Sequence, residues 1–136
     1  MEDFKWHVTL ETGNDNIDAE HKIFVRLIKK LIHAINNKQE EYYLSRLVLE
    51  IQKYTEFHFV SEENLMIDLN YPAFDTHHLQ HLKLLEKLNI SLNYVELGKE
   101  TYQVFVSFLI DWFKQHTINE DRKIAVFIQE KSMDHT

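Results

Sequence analysis

The chain has no cysteine, and among its 136 residues only two are glycine and one is proline. The first absence excludes disulfides, thiolate metal sites and a cysteine nucleophile, and it is compatible with a reducing compartment. So little turn punctuation argues against a many-stranded fold and for long helices with few connections. Basic residues are outnumbered by acids, 15 to 22, for a net charge of −7 with His neutral. That balance speaks against a nucleic-acid or anionic-membrane surface. No run approaches the roughly 18 apolar residues of a spanning helix. The first ten residues carry acids and lack the apolar stretch of a secretory signal. The expectation is a cytoplasmic, non-membrane protein forming one domain over residues 1–136.

Residues 1–16 have no helical period. Phe4, Trp6, Val8 and Leu10 alternate, and Gly13 marks a turn. A lone strand has nothing to pair with, so this arm is expected to lie across helices as a lid. Four seams at spacings of three and four follow. The first is Ile17, His21, Phe24, Ile28, Leu31 and Ile35, stopping at Asn36-Asn37. The second is Leu44, Leu47, Ile51, Tyr54, His58, Glu62, Leu65 and Leu69, stopping before Tyr71-Pro72. The third is Phe74, His77, His81, Leu84, Leu88, Leu92 and Val95, stopping at Gly98. The fourth is Tyr102, Phe105, Leu109, Trp112 and His116, and residues 120–131 read as a further helical tail. Short connections make neighbours antiparallel, so the predicted fold is all-α: an up-down-up-down four-helix bundle with an N-terminal arm and a short C-terminal helical tail.

Each seam is interrupted by His or an acid, residue types that cores normally exclude. Counting residues from the turns shows whether the interruptions meet. His21 lies about 17 residues before a turn near residue 38 and His58 about 20 after it. Glu62 and His81 lie about 9.5 residues either side of Tyr71-Pro72, and His81 and His116 about 17 and 18 either side of Gly98. Equal counts on antiparallel helices are equal heights, so the polar residues share one layer. Asp121 is five beyond His116, about 140° round an ideal helix. It joins the layer only if the helix is irregular between Thr117 and Glu120.

The layer then holds His21, His58, His77, His81, His116, Glu62 and Asp121. One zinc takes four ligands, so seven suit two metals sharing carboxylates. Calcium or magnesium would want mostly oxygen, whereas imidazole-rich sites suit iron, copper, zinc or nickel, and bridging carboxylates favour iron or manganese. The Glu-x-x-His of ferritin-like bundles and the His-Glu-x-x-His of zinc peptidases are both missing. A single such His is more often a satisfied core residue. Seven ionisable groups buried together without metal would be costly in desolvation. His7, His33, His78 and His135 fall off the layer, Glu63 lies on another face as an outer-shell or surface acid, and Met66 reads as plain core.

Taken in order, His58-Phe-x-x-Glu62-Glu63-x-x-Met66, Tyr71-Pro72, His77-x-x-x-His81 and Trp112-x-x-x-His116-x-x-x-x-Asp121 resemble the hemerythrin family, with Ile17-Asp18-x-x-His21-Lys22 similar to its first ligand helix. The likeness covers roughly residues 6–130 and is nearer the bacterial single-domain members. It implies two non-haem Fe ions joined by an oxo or hydroxo bridge. His77, His81 and His116 would hold one; His21 and His58 the other, leaving a position open for O2; Glu62 and Asp121 would bridge them. Thr117 departs from the family, which usually has an apolar residue after that His.

The implied function is reversible O2 binding by a carrier, store or delivery protein, not an enzyme. Phe24, Phe59, Leu109 and Trp112 are candidates for a dry O2 pocket, with packing as their default role. The alternatives are a free-standing sensor of O2 or NO, or a di-iron peroxidase or NO reductase. The sequence identifies no protein partner.

Overall fold

The computed structural model describes residues 4–133. Helix α1 spans Asp15–Asn36, α2 Glu41–Asp68, α3 Phe74–Glu96 and α4 Tyr102–His116. A π-helical turn, Thr117–Asp121, leads directly into α5, Arg122–Met133. Successive helices pack against one another and α4 returns to α1, which closes the expected four-helix bundle. The residues flanking the π turn keep right-handed helical angles. The predicted tail is therefore a continuation of the fourth helix beyond an extra-wide turn.

The three interhelical stops share one construction. Lys38 (φ 53°), Asn70 (φ 53°) and Gly98 (φ 73°) take the left-handed conformation just past α1, α2 and α3. The next residue's N–H then reaches back five positions in the closing turn: Gln39 to Ala34 O at 3.1 Å, Tyr71 to Met66 O at 2.9 Å and Lys99 to Tyr94 O at 2.8 Å. Such closures satisfy carbonyls that a helix end leaves open. At the N-termini, Asn14 caps α1 by accepting from Ile17 N at 3.0 Å, and Thr101 caps α4 by accepting from Val104 N at 3.3 Å. These stops set the heights at which the seams face each other.

The arm packs as a lid, with one correction. Phe4 and Leu10 are buried against the bundle, but Val8 is 66 % exposed, because Val8–Leu10 is a 3₁₀ turn and breaks the alternation. Asp18 accepts from Thr12 N at 2.9 Å and Thr12 Oγ1 at 2.8 Å, and Arg122 Nη2 donates to Thr9 O at 2.6 Å and Glu11 O at 3.1 Å. The arm is thereby tied to the first and last helices.

The apolar interior is split in two. A large cluster runs through all four helices and includes Ile28, Leu31, Ile51, Leu88, Phe105 and Leu109. A small one, Ile17, Met66 and Ile124 with Leu65, Tyr71, Phe74 and Ile128 against it, closes the other end. Between them lies the polar layer.

Candidate metal centre

All seven predicted residues converge. His21 comes from α1, His58 and Glu62 from α2, His77 and His81 from α3, His116 from α4 and Asp121 from the end of the π turn, each 8 % exposed or less. A π turn closes its hydrogen bonds over five residues rather than four, so residues five apart stack. His116 Nε2 and Asp121 Oδ1 are accordingly 3.0 Å apart. The candidate ligand atoms form two overlapping groups, each with all its atoms within 4.8 Å: Glu62, His77, His81, His116 and Asp121, and His21, His58, Glu62 and Asp121. Only the two carboxylates belong to both.

The donor set fits metal ions on its own chemistry. Glu62 Oε2, His116 Nε2 and both Asp121 carboxylate oxygens are buried without a properly aligned hydrogen bond, although imidazoles lie as close as 2.9 Å to Asp121. His21 and His58 also point Nε2 at Nε2, 3.1 Å apart. Nitrogens and oxygens crowded together this closely, several of them with no aligned partner, are what shared cations would satisfy.

Outer groups orient the rings. His58 Nδ1 donates to Glu20 Oε1 at 2.9 Å, and Glu20 Oε2 accepts from Ser61 Oγ at 2.8 Å. His81 Nδ1 donates to Glu63 Oε2 at 2.7 Å, while Glu63 Oε1 takes His78 Nδ1 at 2.6 Å. With the proton kept on Nδ1, Nε2 turns its lone pair inward and becomes a better donor to a metal. Glu63 is thus an outer partner, and Glu20 is one that the sequence reading missed. Its neighbour in sequence is His21, but it serves a ring on another helix. His7 and His33 stay at the surface, His78 is only half-buried, and His135 lies outside the described residues.

The charges in the layer hold one another. Burial opposes ionisation of Asp121, yet the adjacent His116, with the rings of His21 and His77 also close by, keeps its carboxyl well below the usual range. Glu62 is disfavoured by burial and by Asp121, but His77, His81 and His58 lower it. Burial would depress His77, but Asp121 and Glu62 outweigh it and raise the imidazolium to about 9. His58 is also raised: burial opposes its charge, and Glu20, Glu62 and Asp121 favour it. Without metal, protons occupy part of the space that cations would take.

A cavity of about 10 Å³ adjoins the layer, room for one water-sized molecule. It is lined by His21, His58, His116 and Asp121 among the candidate ligands, and otherwise by Phe24, Thr55, Phe59, Trp112, Phe113 and Thr117. Three of the four predicted pocket residues are present. Leu109 is not: it is fully buried in the large apolar cluster. Its place at the wall goes to Phe113, whose ring meets His21 edge-on at 5.4 Å and stacks on Phe24 at 5.1 Å. Phe59 lies flat against His81 at 3.9 Å and Trp112 against His116 at 6.0 Å.

A four-helix bundle that carries a buried cluster of imidazoles and carboxylates able to bind metal defines a helical metal-binding protein. Residues 12–128 match the model of the hemerythrin HHE cation binding domain, and the chain belongs to the hemerythrin family. It is 27 % identical over 128 residues to the bacteriohemerythrin of Clostridium acetobutylicum, covering 88 % of this chain and 97 % of that one. The bacteriohemerythrin of Campylobacter jejuni is 28 % identical over 130 residues, covering 90 % and 92 % respectively. That of Pseudomonas paraeruginosa is 28 % identical over 116 residues, covering 85 % and 75 %. No helix among the described residues is long and apolar enough to cross a membrane.

Proposed function

We propose that this protein binds O2 reversibly at a pair of non-haem iron ions, as a carrier, store or delivery protein. The observation that carries the reading is the placement of the cavity. It touches three of the four residues in the group with two imidazoles, but only His116 and Asp121 of the five in the other. On this reading His77, His81 and His116 hold one ion, His21 and His58 hold the other, and Glu62 and Asp121 serve both. The group with fewer protein donors has the free position, and it faces the cavity. When bound, ferrous ions supply the electrons that a reversible O2 complex borrows and returns.

The chain's own residues do the rest. Glu20 and Glu63 fix the ring planes of His58 and His81, so the donor nitrogens are set before metal arrives. Phe24, Phe59, Trp112 and Phe113 keep the cavity apolar and small, which excludes the water that would help carry reduced oxygen away. Apart from candidate ligands, no residue at the cavity wall is titratable, which supports binding over turnover. NO is similar in size to O2 and would compete for the same free position. The cysteine-free composition suits the cytoplasm, and that location belongs to the same proposal.

The test is to load the protein with iron, reduce it without air and then admit O2. A charge-transfer band that appears with O2 and vanishes on its removal is the expected result. Irreversible conversion to the ferric form alone would refute the proposal.

A further inference from the structure

Two threonines stand in the cavity wall, and they are not equivalent. Thr55 Oγ1 donates to the carbonyl of Ile51, four residues back, at 2.8 Å, the ordinary arrangement for a threonine inside a helix. Thr117 is as deeply buried, at 1 % exposure, but its Oγ1 has no hydrogen-bond partner. It is the first residue of the π turn, immediately after His116. A hydroxyl kept out of water without a partner is destabilising, and native interiors rarely retain one.

The space beside Thr117 is the cavity itself. The rings of Phe24, Phe59 and Phe113 that complete the wall carry no polar atom, and the hydroxyl hydrogen of Thr55 is already committed. Trp112 Nε1 is likewise unpartnered, but Trp112 also lines a second, more open groove, together with Gln80, whose Oε1 is unpartnered too. Thr117 is therefore the donor whose surroundings leave the cavity's occupant to receive its hydrogen.

We propose that Thr117 is a ligand-binding residue that donates a hydrogen bond to a diatomic or short linear acceptor held in the cavity beside His21, His58 and Asp121. This rests on reading those residues as a metal site with a free position. A hydrogen bond to a charged acceptor is stronger than one to a neutral acceptor. Thr117 thus biases the site toward ligands that bear negative charge when bound.

Azide, a linear anion with accepting ends, is the probe. The iron-loaded, oxidised protein is titrated with azide and followed by the ligand-to-metal absorption band. Thr117→Val, which keeps the shape and deletes the hydroxyl, should raise the azide dissociation constant about tenfold, while Thr117→Ser should stay within about twofold of the parent. Equal affinity in the parent and Thr117→Val overturns the assignment and leaves the proposed O2 function standing. A parent that holds no iron overturns both. Thermal unfolding of the metal-free proteins provides a readout independent of ligand. Thr117→Val should melt no lower than the parent, because no internal bond is lost. A fall of more than about 5 °C would show that the hydroxyl serves the fold, and would overturn the assignment.

Discussion

Replacing Glu62 with glutamine keeps the size of the side chain and removes the charge that both candidate ligand groups share. Oε1 of Glu62 lies 2.6 Å from His77 Nε2 and 3.1 Å from His81 Nε2, and Oε2 lies 3.6 Å from His58 Nε2. In the metal-free protein two charge-assisted hydrogen bonds are weakened, each worth about 1.5–3 kcal/mol. Part of that loss is offset, because Asp121 no longer faces a second buried anion. A net destabilisation of about 1–3 kcal/mol follows, or roughly 5–10 °C in melting temperature. The effect on metal should be larger than on the fold. With a single carboxylate left to serve both groups, iron content should fall from about two ions per chain to about one. The assay is iron-to-protein ratio after anaerobic loading, with Mössbauer or magnetic measurement of the oxidised form. Two coupled ions and normal reversible O2 binding in Glu62→Gln would refute the shared role.

Three further tests address other parts of the site. Glu20→Gln removes the anionic acceptor of His58 Nδ1 and should weaken metal binding about 10–100-fold, read by competition with a chelator; unchanged affinity would sink the orienting role. Phe113→Ala deletes a ring that is 3 % exposed; it should cost about 3–5 kcal/mol in urea unfolding and, by admitting water, hasten accumulation of the oxidised form in air. An equal rate of oxidation would separate Phe113 from protection of the site. The metal-free protein should also show an optimum in pH. His77 is raised from 6.5 to about 9, so its contribution is complete below pH 6.5 and is lost as pH rises through about 9. Glu62 and Asp121 are lowered, so theirs is present above the ordinary carboxylate range and lost on acidification. A urea midpoint that climbs steadily from pH 6 to pH 10 would contradict the assigned charge pattern.

The bundle and the seven polar residues were legible because height along antiparallel helices follows from residue counts alone. An irregularity after His116 was legible for a related reason, since His116 and Asp121 could not share a face of a regular helix; that it takes the form of a π turn was not legible. Residues on the flank of a seam were harder to read. A strict alternation of three and four assumes 3.5 residues per turn, and a straight helix drifts about 20° per heptad away from it. The buried stripe of α2 consequently takes Thr55 rather than Tyr54, and Met66, which reads as core in the sequence, lies deeper than the seam residue Leu65. In α4 the ring packed against His21 is Phe113, one beyond the chosen Trp112. Glu20 had no signal at all, because its partner lies on another helix and depends on how α1 and α2 rotate against each other. The exposed Val8 shows the limit of alternation as evidence, since four alternating apolar residues need not form a strand.

The polar layer divides the hydrophobic interior into unequal compartments, and cohesion need not be shared equally between them. The small compartment is built around Ile17, Met66 and Ile124, too few side chains to be a self-sufficient cooperative unit. Beyond apolar contact, it is fastened by Lys131 Nζ, which donates to Leu69 O at 2.7 Å, and by the layer itself, where α1, α2, α3, α4 and the π turn all contribute to the two overlapping ligand groups. Cations bound there would act as a cross-link between that end and the rest of the bundle, much as a disulfide does in a cysteine-rich domain. Their release would leave the short compartment as the first part to open, making the route by which metal exchanges the same as the route by which the fold begins to come apart.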